Sequence, residues 1–547
     1  MADLKQDHHL PLEAFPPDKE TCTMTTDTEA LSNEAIAKDE PQYPERFKLI
    51  AIVISLNLAM FLVGLDNTII SSAIPKITDR FHALDDVGWY ASAYLLTNCA
   101  FQLMWGKLFT FYIVKWIYLA ALFLFELGSL ICAVAPSSTA LIVGRAIAGI
   151  GGGGLGNGSF LLIAYSVPPR QRPTLVGLTG AMYGLAAIVG PLLGGAFTDN
   201  PHLTWRWCFY INLPLGVFPA LIITFCIASF TGGGEQAKVD MKEKLKQMDL
   251  PGTLFLLAGI ICLLLALQWG GTKYEWNSGR IIALLVLAGI FFITFGTIQF
   301  FSGDLATVPG RIFSNRNIWG SSLFGSCVTA SFFTMLYYIP IWLQAIKGAS
   351  PMRSGVMNLP MVLSYVAFSL AGGALTSMIG YYVPFAYLTV ILMAVGCGLL
   401  TTLNAASSSA AWIGYQFIFG AGVGCGLQTA FAAPQCVLPI ADIPIGTAIV
   451  IFTENLTSAV MVSVAQNVFT NQLRANLVKF VPDADPRVIL DGGATEIKHL
   501  VPSHLYDSVI FAYNKALNQT FYVGVALSCF GILGVLAMKW VSVKGKK

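Results

Sequence analysis

Apolar residues in this chain come in long blocks separated by short polar breaks. Fourteen such blocks fall near 48–71, 88–109, 115–135, 140–165, 174–197, 206–229, 250–270, 281–301, 318–345, 353–377, 382–403, 410–433, 444–468 and 520–541. A helix needs about 20 apolar residues to cross a bilayer. Inside lipid every backbone N–H and C=O needs a partner within its own segment, which a helix supplies. The pattern therefore predicts an all-α polytopic membrane protein of about 14 transmembrane helices. Residues 1–47 are polar, rich in Asp, Glu, Thr and Pro, and are expected to be a disordered tail. With no secretory h-region ahead of it, the first block is expected to be retained as a helix.

Between blocks the polar stretches differ in character. Residues 230–249 alternate Lys238, Lys242, Lys244 and Lys246 with Asp240 and Glu243, as a solvated linker does. Residues 469–519 carry Pro482, Pro486 and Gly492-Gly493, so a long loop is expected there. Its stripe of Leu505, Val509, Ala512 and Leu517 predicts a short helix on the membrane surface. Asn518-Gln519-Thr520 is a glycosylation sequon that abuts the last block. Lys and Arg fall unequally on the two sides: sixteen lie in one set of alternate loops and both tails, seven in the opposite loops. The excess marks the cytoplasmic side. It puts 1–47, 230–249 and the tail 542–547 inside and 469–519 outside.

The chain also repeats itself. Arg145, Gly149, Gly151, Gly153 and Asn157 in the fourth block match Gln416, Gly420, Gly422, Gly424 and Gln428 in the twelfth, at one constant offset throughout. Transporters built from two related bundles leave such symmetry. The offset equates blocks 1–6 (48–229) with blocks 9–14 (318–541). It leaves 250–301 as an inserted helix pair. The polar pairs Arg145/Gln416 and Asn157/Gln428 are then expected to face each other across a central cavity.

Composition narrows the chemistry. Of 547 residues 55% are hydrophobic and 11% charged, with mean hydropathy +0.67 and net charge +2. Nothing in that balance calls for nucleic acid. The six histidines fall in tails and loops, and ten of the eleven cysteines sit singly in apolar blocks, so neither a metal site nor a disulfide framework is expected. The absence of a membrane His/Cys/Asp cluster argues against an enzyme, and no cofactor beyond a proton gradient is called for.

Several motifs carry a family resemblance. Gly144-Arg145 with Gly149 and Gly151 resembles the fourth-helix Arg motif of the major facilitator superfamily. Gly177, Gly190-Pro191 and Gly194-Gly195 resemble its fifth-helix antiporter motif, with Ala186 where the pattern has a middle glycine. Leu65-Asp66-Asn67-Thr68-Ile69, followed by Ala73-Ile74-Pro75, resembles the first-helix motif of drug:proton antiporters. The loop after the second block departs from the family. Gly106 and Lys115 stand in their places, but Thr110 replaces an Asp and Val114 a Gly, which weakens the usual charge relay. Gly106-Lys107-Leu108-Phe109-Thr110, Trp205–Pro214 and Ala512–Leu517 are similar to fungal toxin-efflux members. The resemblance implies a major facilitator fold of the fourteen-span branch and proton-coupled export.

Charge at membrane depth is sparse: Asp66, Glu126, Arg145 and Glu454. Such groups are expensive in lipid and mark function or pairing. Arg145 can pair with Asp66 or Glu126. Asp66 reads either as a coupling or gating carboxyl or as a structural group near the outer end of its helix. Glu126 reads either as a proton site or as a hydrogen-bonding group between helices. Glu454, in mid-membrane, reads as a proton carrier or as a neutral packed carboxyl. The uncharged polar residues Asn157, Gln344, Gln416, Gln428 and Asn455 are the candidate cavity lining, joined by Gln102. With 12% aromatic residues, they suit an amphipathic, ring-containing molecule.

The sequence thus predicts a proton-coupled exporter of an amphipathic or hydrophobic small molecule, a fungal secondary metabolite or toxin. Nutrient uptake and general multidrug resistance are the alternatives within transport; a membrane receptor is the alternative outside it. The expected partners are substrate, protons and lipid, and the expected form is a monomer in the plasma membrane, with the vacuolar membrane as the alternative.

Overall fold

A computed structural model describes residues 43–82, 86–200, 203–227, 248–271, 273–482, 489, 501–502 and 504–544. The tail up to residue 42, the linker 230–247 and the last three residues lie outside the described set. From Glu45 onward the chain forms one unit, all helical among the described residues. Fourteen rods follow one another: α1 Arg46–Phe81, α2 Val87–Phe111, α3 Val114–Val134, α4 Ser138–Ser166, α5 Arg172–Asp199, α6 Trp207–Cys226, α7 Leu250–Trp269, α8 Gly279–Ser302, α9 Arg316–Ala345, α10 Leu359–Ile379, α11 Val383–Leu400, α12 Ser409–Val437, α13 Ile443–Phe480 and α14 Tyr506–Ala537. Thirteen are long and apolar enough to cross a membrane. The other, α2, is diluted by Trp89, Asn98, Gln102 and Lys107. We call the face holding Arg46 and Ala537 the terminal face and its opposite the distal face.

Rods α1–α6 pack together, and so do α9–α14, while α7 and α8 form a pair of their own. The two bundles meet along two seams, α5 with α10 and α2 with α13. The repeat offset carries one seam onto the other. It also carries α4 onto α12 at both ends, Ser138 to Ser409 and Ser166 to Val437. Even the caps correspond: Ser137 accepts from Ala140 N, and Ser408 from Ala411 N. A serine oxygen here satisfies an orphan N–H of the first turn. At the pseudo-twofold axis Phe160 stacks on its own counterpart Phe431, centroids 4.4 Å apart and planes 13° from parallel.

Two expectations need correcting. Both ends of the long loop 469–519 are helix. α13 runs on to Phe480 and α14 begins at Tyr506, so the connection between them is 481–505. Polar residues such as Asn471, Gln472 and Arg474 interrupt the apolar run, but Phe469, Leu473 and Leu477 continue a buried stripe, one residue per helical turn. That stripe meets Val509, Tyr513, Ala516 and Leu517 of α14 in one core. The predicted surface helix is therefore the start of α14, which begins at Tyr506, well ahead of the block expected from 520. Asn518 lies inside it with Nδ2 donating to Leu403 O at 2.9 Å, so the sequon nitrogen is engaged. Asp66, in turn, is not near a helix end. α1 continues to Phe81, which leaves Asp66 about 22 Å from the distal tip at roughly 1.5 Å per residue.

The α1–α5 contact explains the fifth-helix glycines. A Cβ at Gly190 would collide with Thr68, and one at Gly194 with Ser72 Oγ and Ile69 O. Thr68 Oγ1 also donates to Ala186 O at 3.1 Å. Where the motif has a middle glycine, Ala186 packs against Gly64, so the small residue is supplied by the partner helix. Gly177 serves the other seam, against Ser369 O and Gly373 of α10. Gly195 has nothing within 4 Å of a built Cβ. Gly194→Ala is therefore expected to cost on the order of 1–3 kcal/mol by overpacking, and Gly195→Ala less than about 0.5 kcal/mol. Thermal unfolding of the purified variants in detergent checks the contrast; equal losses would refute the assigned contact.

Candidate functional site: a buried charge cluster and two carboxyls outside it

The centre of the first bundle holds a fully buried ion pair. Arg145 of α4 is 1% exposed and Asp66 of α1 is 0% exposed. Arg145 Nη1 binds Asp66 Oδ2 directly. Its Nε donates to Tyr90 O at 2.8 Å, and its guanidinium lies 4.6 Å over the Tyr94 ring. Asp66 Oδ1 accepts from Asn212 Nδ2 at 3.2 Å, and the same amide donates to Ser129 Oγ at 3.1 Å. Helices α1, α2, α3, α4 and α6 thus each supply a group. Burying two charges is costly, and only close pairing with further hydrogen bonds offsets it. That condition is met here.

Of the two partners open to Arg145, the structure selects Asp66. Glu126 lies on α3 against Gly216 of α6, one turn from Ser129. Both its carboxyl oxygens are buried without a hydrogen-bond partner. Glu454 occupies the second bundle, 5% exposed. Its Oε1 is buried without a partner and points at Gly325 of α9, with Ala430 of α12 beside it. No salt bridge to Glu126 or Glu454 occurs among the described residues.

The polar residues expected to line one cavity divide into several settings. Asn455 Nδ2 donates to Asn98 Oδ1 at 3.2 Å and bridges the α13–α2 seam. Gln428 Nε2 donates to Ser369 Oγ at 2.9 Å, and Ser369 Oγ donates to Gly177 O at 2.9 Å, bridging the α10–α5 seam. Asn157 and Gln416 are 0% exposed, with both side-chain amide atoms unpartnered. Gln102 is buried and unpartnered in the same way, and it faces α4 at Gly153, one turn from Asn157. Gln344 does not belong with them: at the last turn of α9 it donates to Ser354 Oγ at 2.9 Å. Arg145 does not look toward Gln416 across a cavity, because its donors are directed into its own bundle.

Sequence reading missed Tyr90, Tyr94, Ser129, Asn98, Ser369 and Asn212. Two signals were available. Tyr94 and Asn98 correspond to Tyr365 and Ser369 under the same offset that relates α4 to α12, and Asn212 is the amide of the Trp205–Pro214 stretch.

These settings predict opposite responses. Asn212→Ala unpairs Asp66 Oδ1 and Ser129 at once and is expected to cost roughly 1–3 kcal/mol. Glu126→Met replaces an unpartnered buried carboxyl with an apolar group of similar size, which is neutral or stabilising. Unfolding temperatures in detergent at neutral pH measure both; a large loss for Glu126→Met would show a partner that the geometry lacks.

Similar proteins agree with this architecture. Residues 56–462 match the family model described as Major Facilitator Superfamily. The MFS-type efflux pump MFS1 of Trichophyton rubrum is 51% identical over 526 residues, covering 95% of this chain and 97% of that protein. The MFS-type transporter astH of Aspergillus oryzae is 50% identical, covering 92% and 89%. The efflux pump aflT of Aspergillus parasiticus is 48% identical, covering 91% and 96%. Among solved structures, the proton:xylose symporter XylE bound to 6-bromo-6-deoxy-D-glucose shares the fold at 15% identity and TM-score 0.58, over 89% of this chain and 94% of that one. A paired six-helix architecture with its internal repeat, a charge cluster in the first bundle and identity to transporters along nearly the whole length converge: this chain is a multi-pass membrane transporter, not an enzyme, and belongs to the major facilitator superfamily.

Proposed function

We propose that the protein is a proton-coupled efflux transporter of the fourteen-span antiporter branch, exporting an amphipathic, largely uncharged small molecule such as a fungal secondary metabolite. The observation that carries export is the identity of 48–51% to proteins named efflux pumps, over more than nine-tenths of the chain. The terminal face is the cytoplasmic one, as the Lys/Arg excess requires, and the membrane is the plasma membrane, with the vacuolar membrane as the alternative. The protein acts as a monomer and uses no cofactor besides the proton gradient. Substrate meets uncharged amides and aromatic rings at the bundle seams, which favours a neutral ring compound over a sugar phosphate or dicarboxylate.

Seam geometry supports alternating access. Thr174 and Ser377 hydroxyls lie 2.8 Å apart. Arg172 Nη1 donates to Gln435 O at 2.9 Å, and Gln435 Nε2 reaches Phe160 O at 3.4 Å. With the Phe160–Phe431 stack, these bridges all lie toward the terminal face. They describe a state closed on that side, from which rocking of the bundles about the pseudo-twofold axis would open it.

Coupling is assigned to Glu454. A carboxyl without a cation beside it changes its own charge when it titrates, whereas Asp66 is tied to Arg145. Asp66 and Arg145 then serve as the gate and anchor of the first bundle. Glu454→Gln keeps size and polarity but cannot titrate. In sealed vesicles with an imposed pH gradient and a neutral fluorescent ring compound as probe, this variant is expected to lose concentrative transport and keep downhill exchange. If it still concentrates the probe, Glu454 is not the coupling group. If Asp66→Asn and Glu126→Gln also still concentrate it, proton coupling itself is refuted.

A further inference from the structure

The inserted pair ends at the terminal face in a knot of hydrogen bonds. Asp249 caps α7 with Oδ1 accepting from Gly252 N at 3.0 Å. It sits in the left-handed region, at φ 45°, which Asp tolerates better than most residues. Its Oδ2 gathers Gln299 Nε2 at 2.6 Å, Thr307 N at 3.0 Å and Thr307 Oγ1 at 2.8 Å. Gln299 Oε1 accepts from Val308 N at 2.9 Å. One carboxylate thus fastens both ends of the pair to the connector that follows, residues 303–313.

That connector touches both bundles. On one side Lys107 of α2, 2% exposed, donates to Leu305 O at 3.2 Å. On the other, Arg311 makes a two-point ion pair with Asp442 at the start of α13, at 2.6 and 3.0 Å. Asp304 lies 3.6 Å from Arg311 Nε on the same connector. Underneath, Leu256 and Ile260 of α7 share a core with Cys99, Ala100 and Leu103 of α2 and with Ile445, Ala448 and Ile449 of α13. The pair therefore sits over the α2–α13 seam, where Gly106 abuts Ala448.

We propose that the 303–313 connector is a strap that holds the terminal face closed, and that Lys107 is its positioning residue. The proposal rests on the alternating-access reading above. It gives Lys107 an acceptor in place of the Asp missing at Thr110: the tie runs from α2 to the inserted pair instead of within the loop after α2. Opening the terminal face separates α2 from α13, so one end of the strap must let go. The Lys107 end is a charge-assisted hydrogen bond from a buried ammonium, whereas the Arg311 end is bidentate but has its side chain 57% exposed to solvent, where an ion pair is worth less. The Arg311 end releases first.

Native Cys436 reports closure of the terminal face where α5 meets α12, since it follows Gln435, whose carbonyl accepts from Arg172. The full-length protein in proteoliposomes is treated with N-ethylmaleimide, and the modification rate at Cys436 is read by mass spectrometry against Cys226 at the terminal end of α6. Lys107→Met is expected to raise that ratio about tenfold, the population shift for removing one hydrogen bond to a charged group. Arg311→Gln is expected to raise it as well, and Lys107→Arg, which keeps the donor, to leave it near the parent value. Lys347→Met is the control, because Lys347 donates to Ala405 O and Ser407 O on the distal face. An unchanged ratio in Lys107→Met overturns the strap, and so does an equal rise in Lys347→Met. Labelling needs neither substrate nor proton gradient, so its outcome is independent of whether export or coupling is confirmed.

Discussion

A guanidinium and a carboxylate buried together in lipid constrain everything around them. Neither Arg145 nor Asp66 has water to fall back on, so each needs protein partners fixed in place. The first bundle supplies them from five helices: Tyr90 O and the Tyr94 ring from α2, Asn212 from α6, Ser129 from α3, and the pair itself from α1 and α4. Close helix approach is the precondition. It explains why α4 is glycine-rich in the very stretch that follows Arg145, where side chains would hold α2 and α3 away.

The second bundle repeats the backbone without repeating the charge. Under the repeat offset Asp66 and Arg145 correspond to Tyr337 and Gln416, and Glu454 corresponds to Tyr183. The first bundle therefore carries a compensated pair beside the carboxyl of Glu126, and the second carries Glu454, with no salt bridge to either glutamate among the described residues. In the proposed cycle this division separates two tasks: a bundle anchored by its ion pair, and a bundle whose central charge changes. Most links across the seams join neutral amides, hydroxyls and carbonyls; charge enters at the terminal face, through Arg172 on Gln435 O and the Arg311–Asp442 pair.

Much of this was legible in the chain. Block lengths set the helix number, and the constant offset between Arg145 and Gln416 foretold the α4–α12 correspondence to the residue. The rarity of membrane charge singled out Asp66 and Arg145. Other features were hidden for physical reasons. The stem of α13 and α14 carries polar residues on its outer side, so apolar runs end before the helices do. Gln344 reads like a cavity amide, but its place at the last turn of α9 turns it to Ser354. The connector 303–313 is held through backbone groups of Leu305, Thr307 and Val308. Backbone carbonyls and amides recur all along a chain and leave no mark in a sequence.

The buried pair is the central claim, and a double-mutant cycle on Asp66 and Arg145 tests it most directly. Asp66→Asn, Arg145→Gln and the double variant are purified in detergent and their thermal unfolding is compared with that of the parent. Each single change leaves one uncompensated buried charge, a loss on the order of 3–5 kcal/mol. The double variant is expected to lose no more than either single variant, a coupling of at least about 3 kcal/mol, at the upper end for residues in contact. Additive losses, with no recovery in the double variant, would contradict the account.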